Sequence, residues 1–204
     1  MLSKGCLIAA GVAGVLLVIL LIIGGAFAGT YNSLVKLDQG VKSSWAQVEN
    51  VYQRRMDLIP NLVEVVKGYA KHESATLTAV IEARSKATSF KIDESVLNNP
   101  ASFKKFQAMQ GELSSALSRL MVVTEQYPNL KANENFMNLQ AQLEGSENRI
   151  AVERKRFNEV VQAYNTKRQT FPTILLAGMF GFQEKAYFQA EEGAKKAPKV
   201  DFSK

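Results

Sequence analysis

The sequence contains few of the residues that build common catalytic and metal sites. It has one histidine, His72, and one cysteine, Cys6. A zinc site with two histidines therefore cannot form within one subunit, and Cys6 has no partner for an internal disulfide. The sequence also lacks a Gly-x4-Gly-Lys phosphate loop, a Gly-x-Ser-x-Gly nucleophile elbow and a dinucleotide fingerprint. We therefore expect no cofactor, no bound metal and no enzymatic activity.

Charge is absent from Gly5 to Val35. The apolar run Leu7–Ala28 would span roughly 33 Å as a helix, enough to cross a hydrocarbon core of about 30 Å. This run is longer than the core of a signal peptide, which is about 7–15 residues. We expect it to be retained, although Ala26-Phe27-Ala28 has the small-x-small pattern of a cleavage site. We therefore predict a transmembrane anchor over residues 1–29, a helical domain over 30–182 and a C-terminal tail over 183–204.

The charges that flank the anchor are nearly balanced. Lys4 precedes it, and Lys36 and Lys42 follow it with Asp38 between them. The short basic leader is typical of an uncleaved signal anchor and favours a cytoplasmic N-terminus. We expect a single-pass protein of the inner cell membrane with its C-terminal domain outside the cytoplasm; a domain facing the cytoplasm is the alternative.

Small residues in the anchor allow close approach of a second helix. Gly25 and Gly29 form a GxxxG pattern. They are the candidate residues for helix–helix contact in the membrane. Expected partners are therefore the lipid bilayer and either a second copy of the chain or another membrane protein.

Prolines and glycines are scarce, at five and thirteen, and helical periodicity dominates the rest of the chain. Four stretches carry it, from about residue 31 to 59, 61 to 89, 103 to 127 and 136 to 164. Turn signals at Asn98-Asn99-Pro100 and Tyr127-Pro128-Asn129 precede and end the third stretch. Its predicted inner face has Gln110 and Thr124 in two polar positions and these apolar residues: Phe103, Phe106, Leu113, Leu117, Leu120 and Tyr127. Pro60 is expected to kink or end the first stretch. Apolar steps of three and four residues repeated over several heptads predict an all-α fold, an antiparallel bundle of about four long helices.

The domain is mildly basic. From residue 30 it has 24 Lys and Arg (25 less Lys4) against 19 Asp and Glu, a net charge of +5. This balance suits a surface close to anionic lipid headgroups. The basic residues alternate with acidic ones and form no run with stacking aromatics, so we expect no nucleic-acid partner.

The densest polar cluster comprises Arg54, Arg55 and Asp57, followed by Asn61. Arg55 occupies an apolar position of the first stretch, and Glu153 occupies one in the fourth. If these helices are neighbours, the two residues can form a buried pair that sets helix register. A role in binding a partner is the other interpretation of the cluster.

Two further segments have competing interpretations. His72 and Glu73 could form an acid–base pair, but adjacent residues on a helix do not face each other. The apolar segment 171–182 is too short to span a membrane. It either caps the bundle or forms an exposed contact patch. The candidate patch residues are Phe171, Leu175, Leu176, Phe180 and Phe182.

Motifs along the chain resemble those of the LemA family of bacterial proteins. They are YNSLV at 31–35, RRMDLIPNLV at 54–63, VKGYAKHE at 66–73, EAR at 82–84, YPNLKANENF at 127–136, ENRIA at 147–151, YNT at 164–166, FP at 171–172, GF at 181–182, YF at 187–188 and VDF at 200–202. The resemblance covers nearly the whole chain and implies a membrane-anchored, four-helix-type bundle. It supplies no catalytic residues.

These observations lead to three functional hypotheses. The first is a membrane-anchored, non-enzymatic structural or interaction protein of the bacterial envelope, alone or as an oligomer. The second is a protein that binds or remodels a lipid surface through the apolar segment and the basic tail. The third is an envelope hydrolase that uses His72 and Glu73.

Overall fold

The computed structural model describes the backbone of residues 4–90 and 94–189, and the side chains from Gly11 onward within those ranges except that of Glu94. Helices make up almost all of this part, and no strand occurs in it. The predicted all-α fold is therefore confirmed. The elements are α1 (Lys4–Tyr69), α2 (Ser74–Ser89), a 3-10 helix (Glu94–Asn98), α3 (Pro100–Thr124), α4 (Pro128–Lys131), α5 (Glu134–Gln169) and α6 (Thr173–Met179).

Helix α1 joins the apolar segment to the bundle without a break. Its 66 residues give a rod about 100 Å long at ~1.5 Å per residue. Among the described residues it is the one helix long and apolar enough to cross a membrane. Its most apolar window has a mean hydropathy of 2.7, and none of that window is buried by the rest of the chain. The same helix enters the core from Leu34 onward.

The sequence predicts that Pro60 kinks or ends the first helix. An end at Pro60 is wrong, because α1 continues to Tyr69. A proline inside a helix leaves the carbonyl four residues earlier without its N–H partner. That carbonyl belongs to Met56, and Arg84 of α2 donates to it from Nε at 2.9 Å. A tertiary hydrogen bond thus replaces the missing helical one. The chain turns instead at residues 70–73.

The four long elements run up, down, up and down. Trp45 of α1 lies against Phe157 of α5, while Arg55 further along α1 reaches Glu147. These contacts make α1 and α5 antiparallel. Trp45 also lies against Phe103 of α3, and Arg55 bonds to residues further along α3, which makes α1 and α3 parallel. We call the end of the bundle next to the apolar segment of α1 the proximal end.

The core follows the predicted pattern closely. Every large apolar residue of the third stretch that we placed on the inner face is buried or partly buried, and Gln110 and Thr124 are buried in the two polar positions. The predicted turns also hold, because Asn99 caps α3 by accepting from the N–H groups of Ala101 and Ser102. The largest fully buried side chains of the core include Trp45, Phe106, Leu113, Leu120, Phe136, Phe157 and Tyr164.

The packed domain extends further than the predicted boundary at residue 182. Phe188 is buried among Trp45, Phe103 and Phe157. The segment 183–189, which we assigned to the tail, is therefore part of the bundle. The remaining predicted tail, 190–204, lies outside the described residues.

Candidate functional site at the proximal end of the bundle

An extended segment, residues 182–189, runs along the proximal half of the bundle; we call it the strap. Two asparagines of α5 hold its backbone. Asn165 donates to the carbonyl of Lys185 at 2.9 Å and accepts from its N–H at 3.0 Å. Asn158 does the same for Phe188, at 3.0 and 2.9 Å. Each amide side chain thus presents one donor and one acceptor, as a neighbouring β-strand would.

Further side chains bind three more carbonyls of the strap. Tyr164 donates to Gln183, and Arg168 donates to Phe182 at 2.8 Å. Gln107 of α3 bonds to both backbone groups of Gln189. Side chains of α3 and α5 therefore hold the backbone of the strap to these two helices.

A buried lysine clasps the proximal end. The side chain of Lys185 is 6% exposed, and its Nζ lies 2.9 Å from Asp38 Oδ1 of α1. It also donates to Asn98 Oδ1 at 2.8 Å and lies 5.4 Å from the centre of the Tyr164 ring. These partners compensate the lysine for its loss of water. A cleft of about 240 Å³ adjoins the cluster.

Tyr164 titrates abnormally in this setting. Its ring is fully buried, and its hydroxyl donates to the carbonyl of Gln183 at 2.9 Å. Burial, helped by the nearby Asp38 carboxylate, raises the pKa of Tyr164 to about 12. The phenol is therefore a hydrogen-bond donor at neutral pH and is poorly suited to act as a base.

Helix α6 packs against α1 where the apolar segment meets the bundle. Leu176 and Ala177 are buried, and the Phe180 ring lies 5.0 Å from that of Tyr31 on α1. Other apolar side chains of this region face outward. Phe171, Ile174, Leu175, Met179 and Phe180 are all at least 49% exposed, and we call these five the apolar foot.

The two expectations for segment 171–182 therefore both apply, to different residues. Leu176 caps the bundle, so its assignment to an exposed patch is wrong. Phe182 is partly buried and contacts Tyr31 at 5.8 Å between ring centres. The exposed patch consists of the apolar foot.

Gly181 reverses the chain between α6 and the strap. Its φ of 72° is the one positive value found in the described part of the chain. The N–H of Phe182 then donates to the carbonyl of Ala177 at 3.0 Å. This is a Schellman closure, in which a residue without Cβ is strongly preferred. The glycine thus sets the direction in which the strap leaves α6.

The buried pair predicted for Arg55 has a different partner. Arg55 Nη1 lies 2.6 Å from Glu147 Oε1 and donates to Ser114 at 2.8 Å, and Nη2 donates to Gln110. Glu153 is 3.5 Å from Arg156 on its own helix, so the predicted Arg55–Glu153 pair is wrong. The error is under two helical turns, because register depends on side-chain packing that periodicity does not specify.

The other residues of that polar cluster lie on the surface. Arg54, Asp57 and Asn61 are exposed on α1, and Asp57 accepts from Gln53 at 2.7 Å within the helix. They do not join Arg55 in one site. They stay candidates for contact with a partner.

The turn between α1 and α2, at the end of the bundle away from the apolar segment, does not assemble an acid–base pair. His72 is exposed. The carboxylate of Glu73 accepts from the hydroxyl of Tyr127 at 3.0 Å, and this bond raises the pKa of Tyr127. Over the part of the chain with described side chains, no group of three His, Cys, Asp or Glu residues could hold a metal ion.

Gly25 and Gly29 lie on the exposed apolar part of α1. A Cβ at either position would meet no atom within 4 Å. Both glycines are thus open to lipid or to another helix. A role for them in helix association stays a prediction.

Sequence reasoning missed the residues that hold the strap. Asn158 and Asn165 each follow a buried aromatic residue, Phe157 and Tyr164, and are seven residues apart. That spacing puts both amides on one helix face. Their common face was the available signal, but polar residues beside a core usually face solvent.

Comparison with known proteins agrees with this architecture. Residues 44–202 match the sequence profile of the LemA family. This chain belongs to the LemA family. The LemA match begins ten residues after Leu34, where α1 enters the core, and includes the rest of the bundle and the strap.

Individual relatives are distant in sequence. Magnetosome protein MamQ 2 of Paramagnetospirillum magneticum is 27% identical over 175 residues, which cover 78% of this chain and 64% of the relative. Magnetosome protein MamQ of Magnetospirillum gryphiswaldense is 25% identical with the same coverage. Protein LemA of Metamycoplasma hominis is 24% identical over 81% of this chain and 72% of its own length. This chain thus spans just under two thirds of the length of the MamQ proteins.

Proposed function

We propose that this LemA-family protein is a non-enzymatic structural protein that is anchored in the bacterial inner membrane and presents its bundle to protein partners. The observation that carries this proposal is the continuity of α1. One helix provides both the apolar segment and many of the residues that form the core. The bundle is therefore coupled rigidly to the anchor, whereas a flexible linker would let it reorient freely.

The residues considered for catalysis are accounted for by structural contacts. Glu73 accepts a hydrogen bond from Tyr127, and Arg55 is surrounded by Glu147, Gln110 and Ser114. His72 is exposed without a facing acid or nucleophile in the described contacts. These arrangements support a structural role over hydrolysis. An association with the magnetosome is part of the names of the MamQ relatives. The proposal for this chain depends on its own anchor and bundle.

The exposed face of α1 around Arg54 is the proposed partner surface. Arg54, Asp57 and Asn61 are spaced by three and four residues and share one side of the helix. Asp57 bonds to Gln53 of its own helix, and Arg54 is exposed. A charged, rigid surface of this kind suits recognition by a complementary protein surface.

The test is in-cell photocrosslinking of the full-length protein from a photoreactive residue at position 61. Purification from native membranes and mass analysis will then identify a single chain, a homo-oligomer or a complex. We expect a defined crosslinked product. The double charge reversal Arg54→Glu with Asp57→Arg should abolish it without changing the net charge.

A matched control uses an exposed ion pair elsewhere. Lys155 and Glu159 of α5 lie 4.0 Å apart and are both exposed. Reversing them as Lys155→Glu with Glu159→Lys should leave the crosslinked product intact. If the protein is recovered only as an uncrosslinked single chain, the scaffold proposal is wrong.

We also propose that the domain lies outside the cytoplasm. The short basic leader before the anchor supports this orientation. A reporter that functions only outside the cytoplasm, fused after Lys204, should be active. Activity of a strictly cytoplasmic reporter at the same position would reverse the assignment.

A further inference from the structure

We propose that the apolar foot inserts into the interface of the same bilayer that holds α1, so that the protein touches the membrane at two points. This inference rests on the membrane anchoring proposed above. The foot consists of Phe171, Ile174, Leu175, Met179 and Phe180. Its occupant is lipid, at the boundary between headgroups and acyl chains.

The position of the foot along α1 supports this depth. The apolar run ends near Ala28, and Tyr31 lies three residues further, roughly 4.5 Å along the helix axis. The ring of Phe180 is 5.0 Å from that of Tyr31, and a shallow apolar cleft joins Phe180 to Phe27 within the run. Interfacial helices lie about 5–10 Å into the headgroup boundary. The foot is therefore continuous with the part of α1 that leaves the hydrocarbon.

Helix α6 has two distinct faces. Thr173, Leu176 and Ala177 are buried against the bundle, whereas Ile174, Leu175 and Met179 are exposed. Segment 171–182 contains no charged residue. The bundle therefore fixes one face of α6 and directs an uncharged apolar face away from the core, next to the membrane segment.

The charges around the foot suit lipid headgroups. Lys36 is exposed on α1 in the turn after Tyr31, and Lys167 and Arg168 lie in the last turn of α5. At this end of the bundle Asp38 is paired with Lys185 and Lys42, and the other acid of the adjoining strap, Glu184, is exposed. A basic rim beside an apolar patch is the combination that anionic bilayers attract.

A second copy of the chain is a poorer occupant. A stable protein interface engages about 20–30 residues on each side. The foot offers five side chains on and around a seven-residue helix. Lipid requires no such area, because α1 already holds the foot at the bilayer surface.

The experiment measures lipid contact in the full-length protein. Cys6→Ser removes the single thiol, and Met179→Cys then carries an environment-sensitive fluorophore. The protein is reconstituted at one copy per nanodisc containing phosphatidylglycerol and phosphatidylcholine. Quenchers are placed either on lipid acyl chains near the headgroup or in the aqueous phase. Val122→Cys, on an exposed position of α3, is the matched control, and Leu20→Cys reports on the anchor.

We expect the Met179 probe to shift its emission to shorter wavelength, to be quenched by the lipid-borne quencher and to be shielded from the aqueous one. The Val122 probe should show the reverse. Adding Leu175→Glu should reduce lipid quenching at position 179, whereas Val152→Glu on the exposed face of α5 should not. Unchanged emission of the buried Trp45 will confirm that these variants fold.

Two results would overturn the proposal. One is a Met179 probe that only the aqueous quencher reaches while the Leu20 probe is quenched by lipid, which would leave the anchor intact and the foot in water. The other is shielding at position 179 only in discs with several copies, which would assign the foot to a second chain. Failure of the Leu20 probe to contact lipid would instead contradict the anchoring itself, and with it this inference.

Discussion

Arg84 donates from Nε to the backbone carbonyl of Met56 at 2.9 Å, and that carbonyl is the one that Pro60 leaves without a helical partner. The bond ties α2 to α1 at the point where α1 would otherwise be weakest. It explains how a helix with an internal proline continues for nine residues beyond it to Tyr69. The guanidinium thereby stabilises both the local helix and the packing of α2.

We predict that Arg84→Met destabilises the protein by about 1–2 kcal/mol, because a buried carbonyl loses a charged donor. In a Pro60→Ala background the cost should fall, since the N–H of an alanine there can bond to Met56 itself. Urea unfolding in detergent, followed by the fluorescence of the single tryptophan Trp45, measures all four proteins. Equal costs of Arg84→Met in both backgrounds would separate Arg84 from the proline.

Removing Glu147 should lower the stability of the protein more than removing Arg55. Arg55 is 1% exposed, whereas the Glu147 side chain is 40% exposed. Glu147→Leu leaves a buried guanidinium with only neutral partners, so we expect a loss of about 3 kcal/mol. Arg55→Met leaves a carboxylate that water can reach, and we expect about 1–2 kcal/mol from the orphaned Gln110 and Ser114.

A double-mutant cycle distinguishes the true partner of Arg55. The variants Arg55→Met and Glu147→Leu should be coupled by more than about 1 kcal/mol. Arg55→Met and Glu153→Leu should be additive, because Glu153 faces Arg156. Strong coupling to Glu153 with none to Glu147 would contradict the register described above.

Gly181 offers a test of how the strap is directed. Gly181→Ala should cost about 1 kcal/mol, because its φ of 72° strains a residue with a Cβ. The matched control is Gly178→Ala within α6, where a Cβ meets open space and should stabilise by up to about 1 kcal/mol. Hydrogen exchange of the Lys185 and Phe188 amides should accelerate only in the first variant. Similar exchange in both would show that the strap is held independently of the turn.

The pKa of Tyr164 predicts an alkaline loss of stability. The unfolded chain loses the phenolic proton near pH 10.0, whereas the folded chain keeps it to about pH 12. The stability contributed by the protonated phenol of Tyr164 is therefore fully present below pH 10.0. It is lost as the pH rises from 10.0 to about 12. At neutral pH Tyr164→Phe should cost about 1 kcal/mol, from the bond to Gln183. This cost should shrink between the two pKa values, as measured by unfolding across the window; a constant cost would refute the shift.

Gly25→Ile combined with Gly29→Ile tests association through the anchor. If a second helix packs on these glycines, the larger side chains should hold it away and reduce the oligomer size in detergent. The bundle should keep its melting temperature, since both positions lie outside it. An unchanged oligomer size would assign any assembly to the domain.

Much of the fold could be predicted from sequence because it depends on patterns local to each helix. The steps of Phe103, Phe106 and Leu113 predicted the inner face of α3, and Asn99-Pro100 predicted its start. Those features follow from helical geometry and capping chemistry. The match of burial to pattern in α3 is correspondingly close.

The sequence by itself therefore determined the apolar segment, the helical bundle and the faces that form its core. Tertiary structure alone decided which residues meet across helices: Arg55 with Glu147, Arg84 with Met56, and the asparagines of α5 with the strap. Helical periodicity specifies a face but leaves the axial register and the outside partner of each polar group open. Those are settled by packing and by the need to satisfy buried hydrogen-bonding groups. The same reason explains why Leu176 is buried while Leu175, beside it in sequence, joins the exposed foot.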